Sequence, residues 1–219
     1  MYKINWTYNK SKADFTNKLI PESNIKSCGI PIKEVRLKAK ELTTHDIEIN
    51  YIEDILVLGI NIAQSKLPFE DKIKQLNDFK PLVISWLVTD CIACSFKINK
   101  AEKDLAFKYF LSLLYDNDPM IKRFAIIILM DNFLTEDYLC TILNNIANIQ
   151  SDIHLLNMGL AWFFTTSFIK YPEITTKYVK YLNPIAYKMF LQKCRDSKRI
   201  KKDEIKVLTN VSINSNVSI

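Results

Sequence analysis

Four side chains in this 219-residue chain combine reactive or recognition chemistry with regular spacing. Trp86 and Asp90 stand four apart, so on a helix they share one face, one turn from each other. The steps from Trp86 to Arg123 and from Arg123 to Trp162 are 37 and 39 residues, close to one structural repeat each. Asp90 lies among Val88, Thr89, Cys91 and Ile92, and a carboxylate in such a setting needs a partner. Each residue also has a plainer reading. A tryptophan inside a helix usually packs a core, Asp90 could pair with a neighbouring helix end, and Arg123 beside Lys122 could be a solvated helix start. The formal charge is +6, and residues 188–206 supply most of it, with eight Lys/Arg against three Asp/Glu. Lys193, Arg195, Lys198 and Arg199 fall in this stretch. Basic charge gathered at one end suits a polyanionic partner as well as a solvated surface.

Other chemistries lack their minimum equipment. Cys91-Ile-Ala-Cys94 is a single Cys-x-x-Cys with no second pair of thiolates or imidazoles nearby, and His45 and His154 are far apart. A structural zinc site needs four such ligands. No glycine-rich phosphate loop or nucleophile elbow occurs. The expectation is therefore no metal and no cofactor. Five cysteines cannot all pair, and no apolar run is long enough to span a bilayer. These features predict a reduced, cytoplasmic protein with no membrane segment.

The elements that must position these residues are helical. Only three glycines occur, fewer than the turns of an all-β or doubly wound fold require. Most prolines sit where a helix would start, where a missing N–H has no partner to lose. Apolar residues recur at three- and four-residue spacing. Together they predict helices near 10–20, 31–42, 51–66, 68–78, 81–96, 100–115, 119–133, 135–147, 152–170, 172–181, 184–195 and 202–210. Asp118-Pro119 and Asn183-Pro184 read as caps followed by helix starts, and Thr44 or Asp46 as the cap within a polar connection over 43–50. Successive helices pair, and the second members begin at 51, 81, 119, 152 and 184, an irregular two-helix repeat of HEAT-like size. No such pair buries its apolar face alone, so neighbours must stack. The expected fold is an all-α, HEAT-like helical-repeat solenoid in a single domain over 1–219, with frayed tails at 1–9 and 211–219. Its second helices would line a concave face carrying Trp86, Asp90, Arg123 and Trp162.

Over about residues 12 to 206 the chain resembles the DNA alkylation repair proteins of the AlkD type, which are HEAT-like-repeat DNA glycosylases. The resemblance is carried by Lys18-Leu-Ile-Pro21, Gly29-Ile-Pro31 with Arg36, Ala39-Lys-Glu-Leu42, Trp86-x-x-x-Asp90 and Arg123-Phe-Ala-Ile. Met158-Gly-Leu-Ala-Trp162, Phe168-Ile-Lys-Tyr-Pro172 and Gln192-Lys193-x-Arg195-x-Ser197-x-Arg199-Ile200 continue it in the same order. The resemblance implies removal of cationic alkylpurines, 7-methylguanine and 3-methyladenine, from double-stranded DNA without base flipping. Asp90 matches the carboxylate that stabilises the oxocarbenium-like sugar and orients water. Trp86 and Trp162 match the aromatics packed on the lesion's deoxyribose, and Arg123 matches a phosphate-holding residue. Lys193, Arg195, Lys198 and Arg199 would neutralise flanking phosphates. The protein is expected to act as a monomer.

The resemblance is incomplete before Pro31. Active members carry a second N-terminal helix there, whereas a branch with a shortened start, often reading Lys-Leu-Ile-Pro, binds DNA weakly and lacks excision. Two alternatives thus stay open: a non-catalytic, weakly DNA-binding paralogue, and a helical scaffold for another protein.

Overall fold

The computed structural model describes residues 1–211, and within them twelve α-helices carry the fold. They are α1 (Lys10–Leu19), α2 (Ile32–Glu41), α3 (Ile52–Gln64), α4 (Phe69–Phe79), α5 (Trp86–Ala93), α6 (Lys103–Ser112), α7 (Pro119–Phe133), α8 (Glu136–Ile146), α9 (His154–Lys170), α10 (Pro172–Val179), α11 (Pro184–Asp196) and α12 (Lys202–Thr209). Each matches one of the twelve predicted segments. Asp118 accepts from the Met120 N–H at 2.7 Å and Asn183 from the Ala186 N–H at 2.9 Å, so both expected caps form. None of the described helices is long and apolar enough to cross a membrane.

Two segments are shorter than the periodicity suggests. The helix expected over 81–96 begins only at Trp86, because Pro81 sits in a separate 3-10 turn and Ser85 caps α5 by accepting from the Val88 N–H. The helix expected over 100–115 has 3-10 turns at both ends, Lys100–Glu102 and Leu113–Tyr115. The chain divides into two compact units, and the boundary falls within α6, after Tyr109.

In the first unit α3 is the centre, packed by α2, α4 and α5. Of its residues only Asn61 and Gln64 escape burial. Two acids open this helix, where the backbone N–H groups and the helix dipole favour negative charge. Asp54 accepts from the Asn50 and Tyr51 N–H groups at 2.9 and 2.8 Å, so the cap lies here and not at Thr44 or Asp46. Its other oxygen takes the Trp6 indole N–H at 2.7 Å. Ile4 is buried, and Tyr2 bridges to Ile47. The N-terminal segment 1–9 is consequently tied down rather than frayed. The C-terminal tail expected to fray lies, from residue 212, outside the described residues.

Glu53, 3% exposed, is buried against the loop before α2. Its carboxylate accepts from the Ser27 hydroxyl and from the backbone N–H groups of Cys28, Gly29 and Ile30. Gly29 turns this loop with φ +85, and a Cβ there would lie 2.4 Å from the Asn9 carbonyl oxygen. Only glycine allows both the left-handed backbone and the close approach of α1.

In the second unit α9 is the centre, packed between α7 and α11, with α10 also against it. α8 packs on α7 and α10, so the helix pairs α7/α8, α9/α10 and α11/α12 are stacked neighbours. α7 from Arg123 through Met130 is continuously buried, as its run of Ile and Leu demands. Rings of Phe163, Phe164, Phe168 and Phe190 meet edge to face in the seam between α9 and α11.

Candidate functional site

The half-exposed residues of α5 fall on one face: Trp86, Leu87, Asp90 and Cys91, with Cys94 exposed at the helix end. Trp86 is fixed from the α1 side. Its indole N–H donates to the Leu19 carbonyl at 2.8 Å, and its backbone N–H, at the exposed start of α5, donates to the Glu22 carboxylate at 3.3 Å. The ring is therefore tied to the end of α1, in the segment carrying Lys18-Leu-Ile-Pro21.

Asp90 stands one turn along the same face, half-buried. The buried Thr89 hydroxyl lies 2.7 Å from its Oδ1 and 2.8 Å from the Trp86 carbonyl oxygen. That hydroxyl has one proton, and an ionised Asp90 is the stronger acceptor of the two. Thr89 thus orients one carboxylate oxygen while the side chain remains part-exposed. The neighbouring Cys91 thiol is pushed up to about 11, chiefly by burial and then by the Asp90 charge, with Arg36 of α2 pulling the other way. Arg36 is exposed, so a positive charge reaches this face from α2.

The cysteines report on this arrangement. Burial pushes the Cys194 thiol to about 12 and raises that of Cys28, while Cys94 and Cys140 are exposed. Iodoacetamide at pH 8 is expected to label Cys94 and Cys140 first, followed by Cys91, with Cys28 and Cys194 protected until the protein unfolds. Mass mapping of the labelled native protein checks this order, and early labelling of Cys28 or Cys194 would contradict the packing described. No three metal-ligating side chains cluster among the described residues.

In the second unit the accessible face of α9 is also a single stripe, Leu155, Met158, Trp162, Thr166 and Ile169, all half-exposed at helical spacing. Trp162 sits in the middle of it. α11 packs directly on α9 and carries Lys193, half-buried, and Arg195, exposed, with Lys198 and Arg199 exposed in the turn that follows. The basic stretch thus begins on a helix touching the one that carries Trp162.

Arg123 differs from its expected phosphate-holding role. It is 5% exposed, and its Nη1 donates to the Leu155 carbonyl at 2.6 Å, linking α7 to the first turn of α9. Its stem runs beside Gly159, one turn before Trp162: a Cβ there would stand 3.4 Å from Arg123 Cγ, an ordinary contact. In this conformation the side chain positions α9 and offers almost no surface to a phosphate. Arg123→Met keeps the stem and removes the charged hydrogen bond, for which a loss of about 1.5–3 kcal/mol is expected. Urea denaturation measures it, and unchanged stability would show that the Leu155 contact contributes nothing.

Of the sequence-predicted residues, Trp86 and Asp90 are together on α5, and Arg123 lies beside the Leu155–Gly159 turn that precedes Trp162 on α9. Thr89 and Glu22 join the α5 site without having been singled out, and Arg36, quoted only as part of the resemblance, joins it too. For Thr89 the signal was adjacency to Asp90. For Glu22 and Arg36 it lay in the segments around Pro21 and Pro31, whose closeness to α5 no local spacing reveals. The residues and their setting define a class: an all-α, helix-pair protein whose accessible helix faces carry Trp, Asp and basic side chains. No family model, no curated protein and no solved structure matches the chain.

Proposed function

We propose that this chain is a DNA repair glycosylase that hydrolyses the N-glycosidic bond of cationic alkylpurines in duplex DNA. Within each unit the helix pairs are taken as HEAT-like repeats. The observation that carries the reading is the α5 face, where a Trp86 ring hydrogen-bonded to Leu19 and a Thr89-oriented Asp90 stand one turn apart. A 7-methylguanine already bears positive charge, so its departure needs no protonation. As the C1′–N9 bond breaks, its electron pair neutralises the purine and the sugar becomes oxocarbenium-like. The Asp90 carboxylate stabilises that charge through space, and the Trp86 face contributes to the same end. Water positioned by Asp90 then adds to C1′, and its proton leaves through the carboxylate to solvent, giving an abasic site and the free neutral base. No nucleobase pocket is needed, in contrast to enzymes that flip their target.

Lys193, Arg195, Lys198 and Arg199 neutralise phosphates in this reading, and Arg36 is a further candidate from α2. Duplex affinity measured by fluorescence anisotropy should fall steeply with salt. Lys198→Glu with Arg199→Glu should reduce the slope of log K against log salt by about 2. An affinity independent of salt, or unaffected by this pair, would remove the basic segment from the interface.

The alternative reading, DNA binding without excision, predicts salt-sensitive duplex binding and no base release. Abasic-site formation at a single 7-methylguanine distinguishes the two, since the binding-only protein leaves that site intact.

A further inference from the structure

The first unit contains a cavity of about 350 Å³ between α1, α2, α3 and the start of α5. Its walls are apolar: Phe15 and Leu19 of α1, Ile32 and Val35 of α2, and Leu56 of α3, with Trp86 at one end. Phe15, Leu19 and Ile32 are exposed at 66%, 47% and 39%, so the mouth leaves apolar surface in water. The volume lies at the lower end of small-molecule sites, about 300–1,000 Å³. Two charged side chains line it. Glu53 is fully engaged, its oxygens accepting from Ser27, Cys28, Gly29 and Ile30. Lys12, exposed at the rim, makes no ion pair among the described residues.

We infer that this cavity binds an unbranched medium-chain fatty carboxylate, its chain along the apolar walls and its head on the Lys12 ammonium. A nucleobase would bring polar edges to walls that offer almost no hydrogen bonds, and would be left desolvated without partners. An amphipathic helix needs a groove long enough for anchors over several turns, and this volume takes few side chains. An acyl chain needs no hydrogen bond along its length and one cation at its end, which is what the lining supplies. The cavity shares Trp86 with the α5 face, but probe binding and base release are read separately, so failure of one is distinguishable from failure of the other.

The test uses the full chain and 11-(dansylamino)undecanoate, whose emission rises in apolar surroundings, with hexanoate, octanoate, decanoate and decan-1-ol as competitors below their micellar concentrations. Saturable probe binding is expected, with affinity rising about fourfold per methylene along the carboxylate series. Lys12→Glu should weaken decanoate about tenfold and leave decanol unchanged. Phe15→Asp, at the exposed mouth, should weaken both, with circular dichroism confirming that each variant is folded. Absence of saturable binding, absence of a chain-length trend, or equal effects of Lys12→Glu on acid and alcohol would overturn the inference. So would displacement of the probe by unmodified duplex DNA, which would assign the cavity to nucleic acid.

Discussion

Asp90→Asn is expected to slow single-turnover release of 7-methylguanine from duplex DNA by about 100- to 1,000-fold, the range for removing one preorganised electrostatic contact. The substitution is nearly isosteric. The Thr89 hydroxyl, 2.7 Å from Oδ1 in the native chain, can still donate to an amide oxygen, so the side chain keeps its place. In the proposed mechanism, what disappears is the negative charge beside the sugar and the acceptor for the water proton. Because that charge matters most as the glycosidic bond breaks, the loss falls on the rate and not on ground-state affinity. Binding to the same duplex should be unchanged or slightly tighter, since a like charge facing the phosphates has gone. Equal release by variant and wild type would remove Asp90 from the mechanism.

The second large effect is structural and lies one layer below the site. Glu53→Leu is expected to destabilise the protein by about 3–5 kcal/mol, read as a fall in the urea midpoint, because a buried charged partner is removed from groups that cannot reach water. The Cys28 and Ile30 N–H groups lose the acceptor that Glu53 provides, while Gly29 retains only the Ser27 hydroxyl oxygen at 2.9 Å. Glu53→Gln keeps one carbonyl oxygen and should lose roughly half as much. The damage should propagate outward. The loop receives α1 through the Asn9 N–H to Cys28 carbonyl bond at 2.9 Å, and α1 in turn holds Trp86 through Leu19. A Glu53→Leu protein that remains folded should therefore show altered Trp86 emission and reduced base release. A loss below about 1 kcal/mol would mean the loop finds other acceptors, against the buried geometry.

Local rules made most of the helices legible. Proline at the first helical turn with Asp118 or Asn183 before it marks α7 and α11, and both caps form as their residue types require. The start of α5 was misplaced because Pro81 looked like a helix start. Ser85, the residue that does cap the helix, carries the weaker signal of a lone hydroxyl before an aromatic. The N-terminal nine residues look unstructured by periodicity, yet Trp6 is held by Asp54, a contact across 48 residues that no window of sequence can register.

The site was legible to the same extent and for the same reason. The Trp86–Asp90 pairing follows from four-residue spacing on one helix. Arg123 did not follow from type and position, because a guanidinium at a helix start normally faces solvent. Here the Leu155 carbonyl holds it in the α7–α9 seam. Its burial depends on which helix packs opposite, and that is tertiary information. The α9 stripe around Trp162 is visible only once the neighbours of α9 are known, since the helix is apolar on almost every side.

The central claim, hydrolysis at a cationic alkylpurine, is tested most directly by incubating the wild-type chain in excess with a duplex holding one 7-methylguanine and measuring free base against time. First-order release well above the spontaneous rate is expected, with one abasic site formed per base freed and no strand cleavage. Duplex binding with release no faster than in buffer alone would contradict it and leave a DNA-binding protein without excision.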